Sequence, residues 1–446
     1  MNFVIIGGDA AGMSAASRAK RNNPNMTVTV LEKTQDVSYS ACGMPYNIAD
    51  PERPIEDLVV RTADVFRKKQ GINLLTGHEV QKIDPESKIV SGTTRKGNKF
   101  SLPYDKLLMA TGAAPIVPEL AGIDLPGVMA LKSLADGRRF KEYLAANKVK
   151  NVVILGMGYI GLEMAEALHA RNIDVAMVKS RPQFLPWMEA TLAQGIREEL
   201  EKKGVALYPG CSVEKIEASD NRLKVVCPDL SLECDMVLLA VGITPNSSLA
   251  ARAALELGPQ NSVAVNRTLQ TSDKYIFAAG DCADALHVVT GKKAWIPLAL
   301  RANRAGWAAA DNVCGETIEL EGIAGTAVFK VFDLQAARTG LTVEEAKNFG
   351  FIPEDVTITA RSRAHAHPGS SAIHVHMVGD KASGRLLGVQ MVGREGVAHR
   401  INAPAVALHS QMTVAAFSQC DLAYAPPFGP TWDPMLTAAN QLVKKL

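Results

Sequence analysis

The sequence predicts an α/β chain in which one parallel-sheet unit is interrupted by a second and an α+β unit follows. Three observations carry this. The stretch "NFVIIGGDAAGMSAASRAKR" runs an apolar strand into Gly7, Gly8 and Gly12, then into a helix of small residues. The stretch "KNVVILGMGYIGLEMAEALHARN" repeats the pattern with a full G-x-G-x-x-G at Gly156, Gly158 and Gly161. Beyond about residue 322, "TAVFKVFDLQAARTG", "AIHVHMVG" and "RLLGVQMVG" alternate as antiparallel strands do.

In the two glycine turns one glycine makes the turn, one lets backbone approach a pyrophosphate, and one lets the helix pack on its strand. The phosphates then sit at a helix N-terminus, where unpaired N–H groups point. The second strand of the first unit, "VTVLEK", ends at Glu32, 25 residues after Gly7; that of the second, "DVAMVKSR", ends at Lys179. Two such units, 149 residues apart, imply two Rossmann-like dinucleotide-binding domains in one chain. Two more apolar strands, "LLMATGAAP" (107–115) and "YIFAAGDCAD" (275–284), end in small residues. The latter presents Asp281 at a strand's carboxyl end, where a carboxylate can accept a hydrogen bond from a ribityl or ribose hydroxyl.

With 446 residues the chain is long enough for about three domains, and its 47% hydrophobic content supplies their cores. Net charge is only +2, spread along the length, which argues against nucleic acid as a partner. No apolar run reaches the ~18 residues of a membrane span, so no membrane partner is expected. The opening "NFVIIGG" has no basic leader or cleavage site, so a cytoplasmic protein starting in a strand is expected.

Seven cysteines (Cys42, Cys211, Cys227, Cys234, Cys282, Cys314 and Cys420) are odd in number, widely spaced and without C-x-x-C. That is neither a disulfide framework nor a zinc site, and each is expected as a small buried hydrophobe. Cys42 stands apart: "SYSACGMPYNIAD" places it just before a short helix with no second cysteine nearby. Among the histidines at 365, 367, 374 and 376, "HVH" puts His374 and His376 on one strand face. Without a third ligand this reads as a polar strand face, and no metal is expected.

The order of these motifs resembles the pyridine nucleotide–disulfide oxidoreductase family over essentially the whole chain. The resemblance implies an FAD-binding domain from residues 1–115 and 245–322, an NAD(P)H-binding domain at 116–244, and a C-terminal dimerisation domain at 323–446 that makes a homodimer. It implies that Glu32 binds the FAD adenosine ribose, Asp281 the ribityl chain, and backbone around Leu298 and Ala299 faces the flavin. Gly7, Gly8, Asp9, Ala10, Ala11, Gly12, Lys33, Val80, Ala110, Thr111 and Gly112 complete the FAD set. Gly156, Gly158, Tyr159, Ile160, Gly161, Glu163, Lys179, Arg181 and Gly242 form the nicotinamide-nucleotide set. Within it Tyr159 covers the isoalloxazine until nicotinamide displaces it, and Glu163 sits beside the nicotinamide end. Lys179 and Arg181 stand where an acidic residue would bind the 2′-hydroxyl of NADH, which suits the 2′-phosphate of NADPH, alongside or in place of NADH.

Cys42 is followed by Gly43, Met44, Pro45, Tyr46 and Asn47, so no disulfide can close within this loop. The resemblance therefore narrows to the single-cysteine branch: coenzyme A-disulfide reductases, persulfide and polysulfide reductases, and NADH oxidases and peroxidases. The implied function is FAD-dependent NAD(P)H reduction of a small disulfide, persulfide or polysulfide through Cys42, whose thiolate the following helix is expected to favour. The alternative is an NAD(P)H oxidase or peroxidase cycling Cys42 through sulfenic acid. Ala10 stands where those enzymes carry a histidine, which counts against it. A third class, a flavoprotein gating a protein partner, needs no thiol at position 42.

Asp9 replaces a usually neutral residue and is expected to cap its helix. Coenzyme A-disulfide reductases carry Asn where this chain has Ala41, and a tyrosine where it has His367; their second tyrosine is kept as Tyr424. His367 and Tyr424 are expected to reach the partner's Cys42. Arg21 and Arg61, with Ser38 and Ser40, are candidate anchors for an anionic carrier such as coenzyme A; plain surface arginines are the other reading.

Overall fold

The computed structural model describes residues 1–220 and 222–446. Its first sheet is parallel, in the order Ile276–Ala278, Lys106–Met109, Asn2–Ile6, Thr27–Glu32, Asn73–Thr76. Phe3, Val4, Ile5 and Ile6 of the central strand are all buried, as a parallel strand covered on both faces requires. The strand order reverses at this strand, with Thr27–Glu32 on one side and Lys106–Met109 on the other, and Gly7 begins the turn at its carboxyl end, the position at which doubly wound sheets bind ligands. Helix Ala10–Asn22 packs on helix Ala299–Val313 so closely that a Cβ on Gly306 would collide with the Ala11 carbonyl oxygen. Arg18 clamps the pair, its Nε 2.6 Å from Asp311 Oδ1 and its Nη2 3.2 Å from Oδ2.

The second sheet repeats the plan in the order Ala206–Pro209, Asp174–Lys179, Asn151–Leu155, Met236–Leu239, Val128–Ala130, again parallel. Each unit carries a three-stranded antiparallel meander: His78–Asp84, Ile89–Thr94 and Lys99–Pro103 in the first, Lys215–Ser219, Arg222–Cys227 and Leu230–Cys234 in the second. The two chain crossings between the units, Ala113–Pro115 and Ile243–Pro245, pair antiparallel. Thr111 Oγ1 donates to Asn246 O at 2.6 Å, and Asn246 Nδ2 returns a bond to Thr111 O at 2.8 Å.

The C-terminal sheet is antiparallel, in the order Ala327–Val331, Leu334–Gly340, Leu386–Gly393, Ala372–Asp380, Pro353–Arg361. The alternation expected there does not hold in its centre: every residue of Leu386–Gly393 is buried, as are Val375–Asp380. The reason is cover on both faces. Helix Pro434–Val443 packs on this sheet, and so does helix Ala190–Lys202 of the second unit. Polar clasps fix that junction: Glu189 N–H donates to Gln390 Oε1 at 2.7 Å, and Glu166 accepts from Lys330 Nζ and from Phe332 N–H.

The cysteines also depart from expectation. Cys211 and Cys227, 16 residues apart, form a disulfide. The meander folds Cys227 back beside the segment that follows Ala206–Pro209, a neighbourhood that linear spacing does not show. Cys234 and Cys282 are buried as expected, whereas Cys314 and Cys420 are half-buried and Cys42 is exposed. No helix among the described residues is long and apolar enough to cross a membrane.

Candidate active site

The two glycine turns are built alike. Gly7 and Gly156 have φ of +110° and +117°, and a Cβ on either would collide with a carbonyl oxygen of the neighbouring strand end, Ala110 or Ala240. Gly12 and Gly161 let their helices press against the carbonyls of Gly7 and Gly156. Nothing lies within 4 Å of a Cβ built on Gly158, the N-cap of helix Tyr159–His169. Neither that helix nor Ala10–Asn22 has a side-chain cap, so both leave first-turn N–H groups for a phosphate. The residues present therefore fit a dinucleotide at each turn.

Glu32 ends its strand with one oxygen 2.8 Å from Gly8 N and the other accepting from Thr34 N and Oγ1, both at 2.7 Å. The carboxylate is thereby fixed at the turn, while Lys33 beside it is exposed. Ala10 and Ala11 open the helix, Val80 is buried in the meander, and Ala110–Gly112 close the neighbouring strand end.

Asp9 corrects an expectation. It occupies the N-cap position, but its side chain does not cap; Oδ1 accepts from Tyr39 N at 3.3 Å instead. Burial pushes its carboxyl up to about 6, with the carboxylates of Glu32 and Asp281 adding to the shift and Lys132 opposing it.

Asp281 follows strand Ile276–Ala278 in a turn that buried Arg301 holds, donating to Gly280 O at 3.2 Å, to Ala283 O at 2.9 Å and to Asp284 O. Trp295 Nε1 donates to Asp281 O at 2.7 Å, and Lys132 Nζ lies 3.3 Å from its carboxylate. Leu298 is the N-cap of the helix that begins at Ala299. Sequence reasoning missed Arg301, Trp295 and Lys132: no local motif marks them, and Lys132 acts from 149 residues away.

Cys42 lies in the helical turn Ala41–Gly43, which runs on into helix Met44–Ala49. Its surroundings do not favour the thiolate as the helix dipole led one to expect. Although the residue is exposed, desolvation of its sulfur by the surrounding groups comes first, then the carboxylates of Glu163, Asp281 and Asp9, all pushing the thiol up, with Lys132 opposing them. Helix Met44–Ala49 packs on Tyr159–His169, and there Tyr46 Oη donates to Glu163 Oε1 at 3.0 Å. Tyr46 was also missed, although it stands four residues after Cys42.

Tyr159 packs against Trp187 and Phe329, with ring centroids 4.9 and 4.8 Å away, and Ile160 beside it is exposed. Lys179 donates to Gln183 O at 2.8 Å; burial and the nearby Arg181 lower its pKa, so two cations share this strand end. Gly242, at φ +133°, accepts from Ile116 N at 2.9 Å at the crossing.

Ser38 O accepts from Val60 N at 2.8 Å and Arg61 N at 3.4 Å, and Ser40 N donates to Leu58 O, so Ser38, Ser40 and Arg61 share one loop pair. Arg21 does not join them. It lies in the last turn of helix Ala10–Asn22, about 16 Å along the axis from the glycine turn, with its guanidinium 6.0 Å from the Trp307 ring. His367 and Tyr424 sit on neighbouring loops joined by Ala364 N donating to Pro426 O at 3.1 Å. His374 and His376 each bond a threonine across the strand pair, Thr359 at 2.9 Å and Thr357 at 3.0 Å.

Comparison with known proteins agrees with this geometry. Residues 1–306 match the model of the pyridine nucleotide-disulphide oxidoreductases, and residues 326–435 match the dimerisation domain of the same family. The chain is 40% identical to an NAD(P)H sulfur oxidoreductase (CoA-dependent) of Pyrococcus abyssi, over 98% of this chain and 97% of that one. It is 39% identical to an NAD(P)H coenzyme A polysulfide/persulfide reductase of Pyrococcus horikoshii, over 98% of each. Among solved structures, an NAD-dependent persulfide reductase from A. fulgidus superposes with a TM-score of 0.96 at 35% identity, covering 100% of this chain and 83% of that one. Two glycine turns, an acidic residue closing the first unit's second strand and this breadth of similarity have one reading: the chain belongs to the pyridine nucleotide-disulphide oxidoreductases.

Proposed function

We propose that this protein is an FAD-dependent NAD(P)H oxidoreductase that reduces a small disulfide, persulfide or polysulfide of the coenzyme A type, with Cys42 as its one redox thiol. The observation that carries the mechanism is the placement of Cys42: an exposed thiol that feels charges from both nucleotide-binding units, Asp9 and Asp281 of one, Glu163 and Lys132 of the other. No other cysteine lies within its loop. The relatives named for coenzyme A, polysulfide and persulfide support the substrate class.

The chemistry balances with one protein sulfur. The Cys42 thiolate attacks a disulfide RS–SR′; the S–S bond breaks, R′S⁻ leaves with a proton, and Cys42–S–S–R forms. Two electrons delivered to that bond return Cys42–S⁻ and release RS⁻, which takes a second proton. A nicotinamide and a flavin held at the two glycine turns would supply these electrons as one hydride equivalent, so that each turnover would consume NAD(P)H, one proton and one disulfide and yield two thiols.

The chain's own residues prepare this step. Residues 1–115 and 245–322 form the FAD-binding domain in this reading, 116–244 the NAD(P)H-binding domain and 323–446 the dimerisation domain of a homodimer. Gly7–Gly12 and Glu32 seat the FAD adenosine half, with Asp281, held by Arg301, toward its ribityl chain. Gly156–Gly161 and Glu163 seat the second nucleotide, and Lys179 with Arg181 selects the 2′-phosphate. Ser38, Ser40 and Arg61 face the anionic carrier. Ala10 offers no acid or base at the first turn, so the oxidase and peroxidase reading is not adopted. A steady-state screen of NADPH oxidation tests the choice: coenzyme A disulfide and polysulfide should support turnover, and faster turnover with peroxide or oxygen would replace it.

A further inference from the structure

Tyr46 and Glu163 come from different nucleotide-binding units, yet the Tyr46 hydroxyl donates to Glu163 Oε1 at 3.0 Å where helices Met44–Ala49 and Tyr159–His169 pack. Tyr46 follows Cys42 by four residues, in the helix that the Cys42 turn runs into, and the Cys42 charge is among those that raise the Tyr46 hydroxyl. The ring remains half exposed. Cys42, Tyr46 and Glu163 therefore form one cluster, in which Tyr46 and Glu163 are hydrogen-bonded and the charges of Glu163 and Cys42 act on one another and on Tyr46.

We propose that Tyr46 and Glu163 are the proton relay of the Cys42 sulfur: Tyr46 gives its hydroxyl proton to the thiolate expelled when Cys42 attacks a disulfide, and Glu163 restores it. The inference rests on the function proposed above. The balance is one proton per expelled thiolate. Glu163, recharged from solvent, carries that proton as the neutral acid. It then donates to the Tyr46 oxygen, which frees the Tyr46 O–H to face sulfur.

The environment suits both roles. Burial, with the Glu163 charge next, holds Tyr46 well above the ordinary phenol range, so it keeps its proton at rest and gives it to sulfur only as Glu163 replaces it. Burial also raises Glu163, which favours its protonated form, while the bond from Tyr46 pulls the other way. The nearby charges are accounted for. Glu166, one turn along the helix, is engaged by Lys330 and Phe332 N–H, and Lys132, Asp281 and Asp9 are the other charges that act on Cys42.

A proton donor matters most when the leaving thiolate is basic. The test therefore compares Tyr46→Phe and the parent holoenzyme on two disulfides at saturating NADPH: a dialkyl disulfide with basic thiols and an aromatic one with acidic thiols. The relay predicts that Tyr46→Phe loses about 10²-fold in kcat on the dialkyl substrate, and at least ten times more than on the aromatic one. Glu163→Gln should show the same selectivity. Equal losses on both substrates, or none, overturn the relay. So does the selective loss appearing in Tyr424→Phe instead of Tyr46→Phe. A Cys42→Ser enzyme that keeps both rates overturns the underlying function, and the relay with it.

Discussion

Lys132 Nζ stands 3.3 Å from Asp281 Oδ2, an ion pair that joins the end of one nucleotide-binding sheet to the end of the other. It supplies the cation that opposes three carboxylates around Cys42. Removing that cation should raise the thiol pKa, and removing the Glu163 charge should lower it. We expect Lys132→Met to move the midpoint of Cys42 alkylation against pH upward and Glu163→Gln to move it downward. Midpoints that do not move, or move the other way, contradict the assignment.

Asp9 predicts a pH-dependent change in stability. Its folded pKa of about 6 lies above the ordinary 3.8, so between these values the folded chain binds a proton that the unfolded chain has lost. The raised pKa thus destabilises the fold fully above pH 6, and the cost vanishes below about pH 4. Asp9→Asn keeps an acceptor for Tyr39 N–H and removes the charge. It should stabilise the protein at pH 8 by roughly 1–3 kcal/mol and by nothing at pH 3.5. Thermal unfolding at the two pH values checks this; an equal gain at both contradicts it.

Lys179 and Arg181 share a strand end at which Lys179 is already partly desolvated. Lys179→Glu should shift the ratio of kcat/KM values for NADPH and NADH towards NADH, by about tenfold or more if one charge–phosphate contact is lost. An unchanged ratio assigns 2′-phosphate selection elsewhere.

Tyr424, Phe428 and Trp432 are exposed on the C-terminal domain, and His367 lies on the adjoining loop. If this face meets the partner's Cys42, Cys42→Ser chains mixed with Tyr424→Ala chains form hybrids with one intact site. Activity should then recover to about a quarter of the parent level. No recovery, or a fully active monomer at high dilution, contradicts the shared site.

Much of this was legible before any coordinates. The glycine turns, Glu32 and Lys179 sit at spacings fixed within a single strand–turn–helix–strand unit, so the chain itself carries them. Lys132 and Tyr46 did not show, because each acts on a residue brought near by packing between units, and Arg301 did not because its turn is closed by a helix of the same unit that no motif marks. The Cys211–Cys227 disulfide was missed because the fold-back of the meander within the second unit brings the two together. In the C-terminal domain, alternation suggested one wet face, but helices from two domains bury both faces of Leu386–Gly393. Asp9 misled because its position is that of a cap while its carboxylate turns to Tyr39.

The central claim is that Cys42 alone carries the redox sulfur. Pre-steady-state reduction of a disulfide by Cys42→Ser, with peptide mass mapping of the parent enzyme in its resting state, tests it most directly. The account predicts loss of disulfide and persulfide reduction in the variant, with NADPH still bound. In the parent it predicts an adduct or extra sulfur on the Cys42 peptide and on no other. A Cys42→Ser enzyme that reduces disulfides as fast as the parent would contradict it.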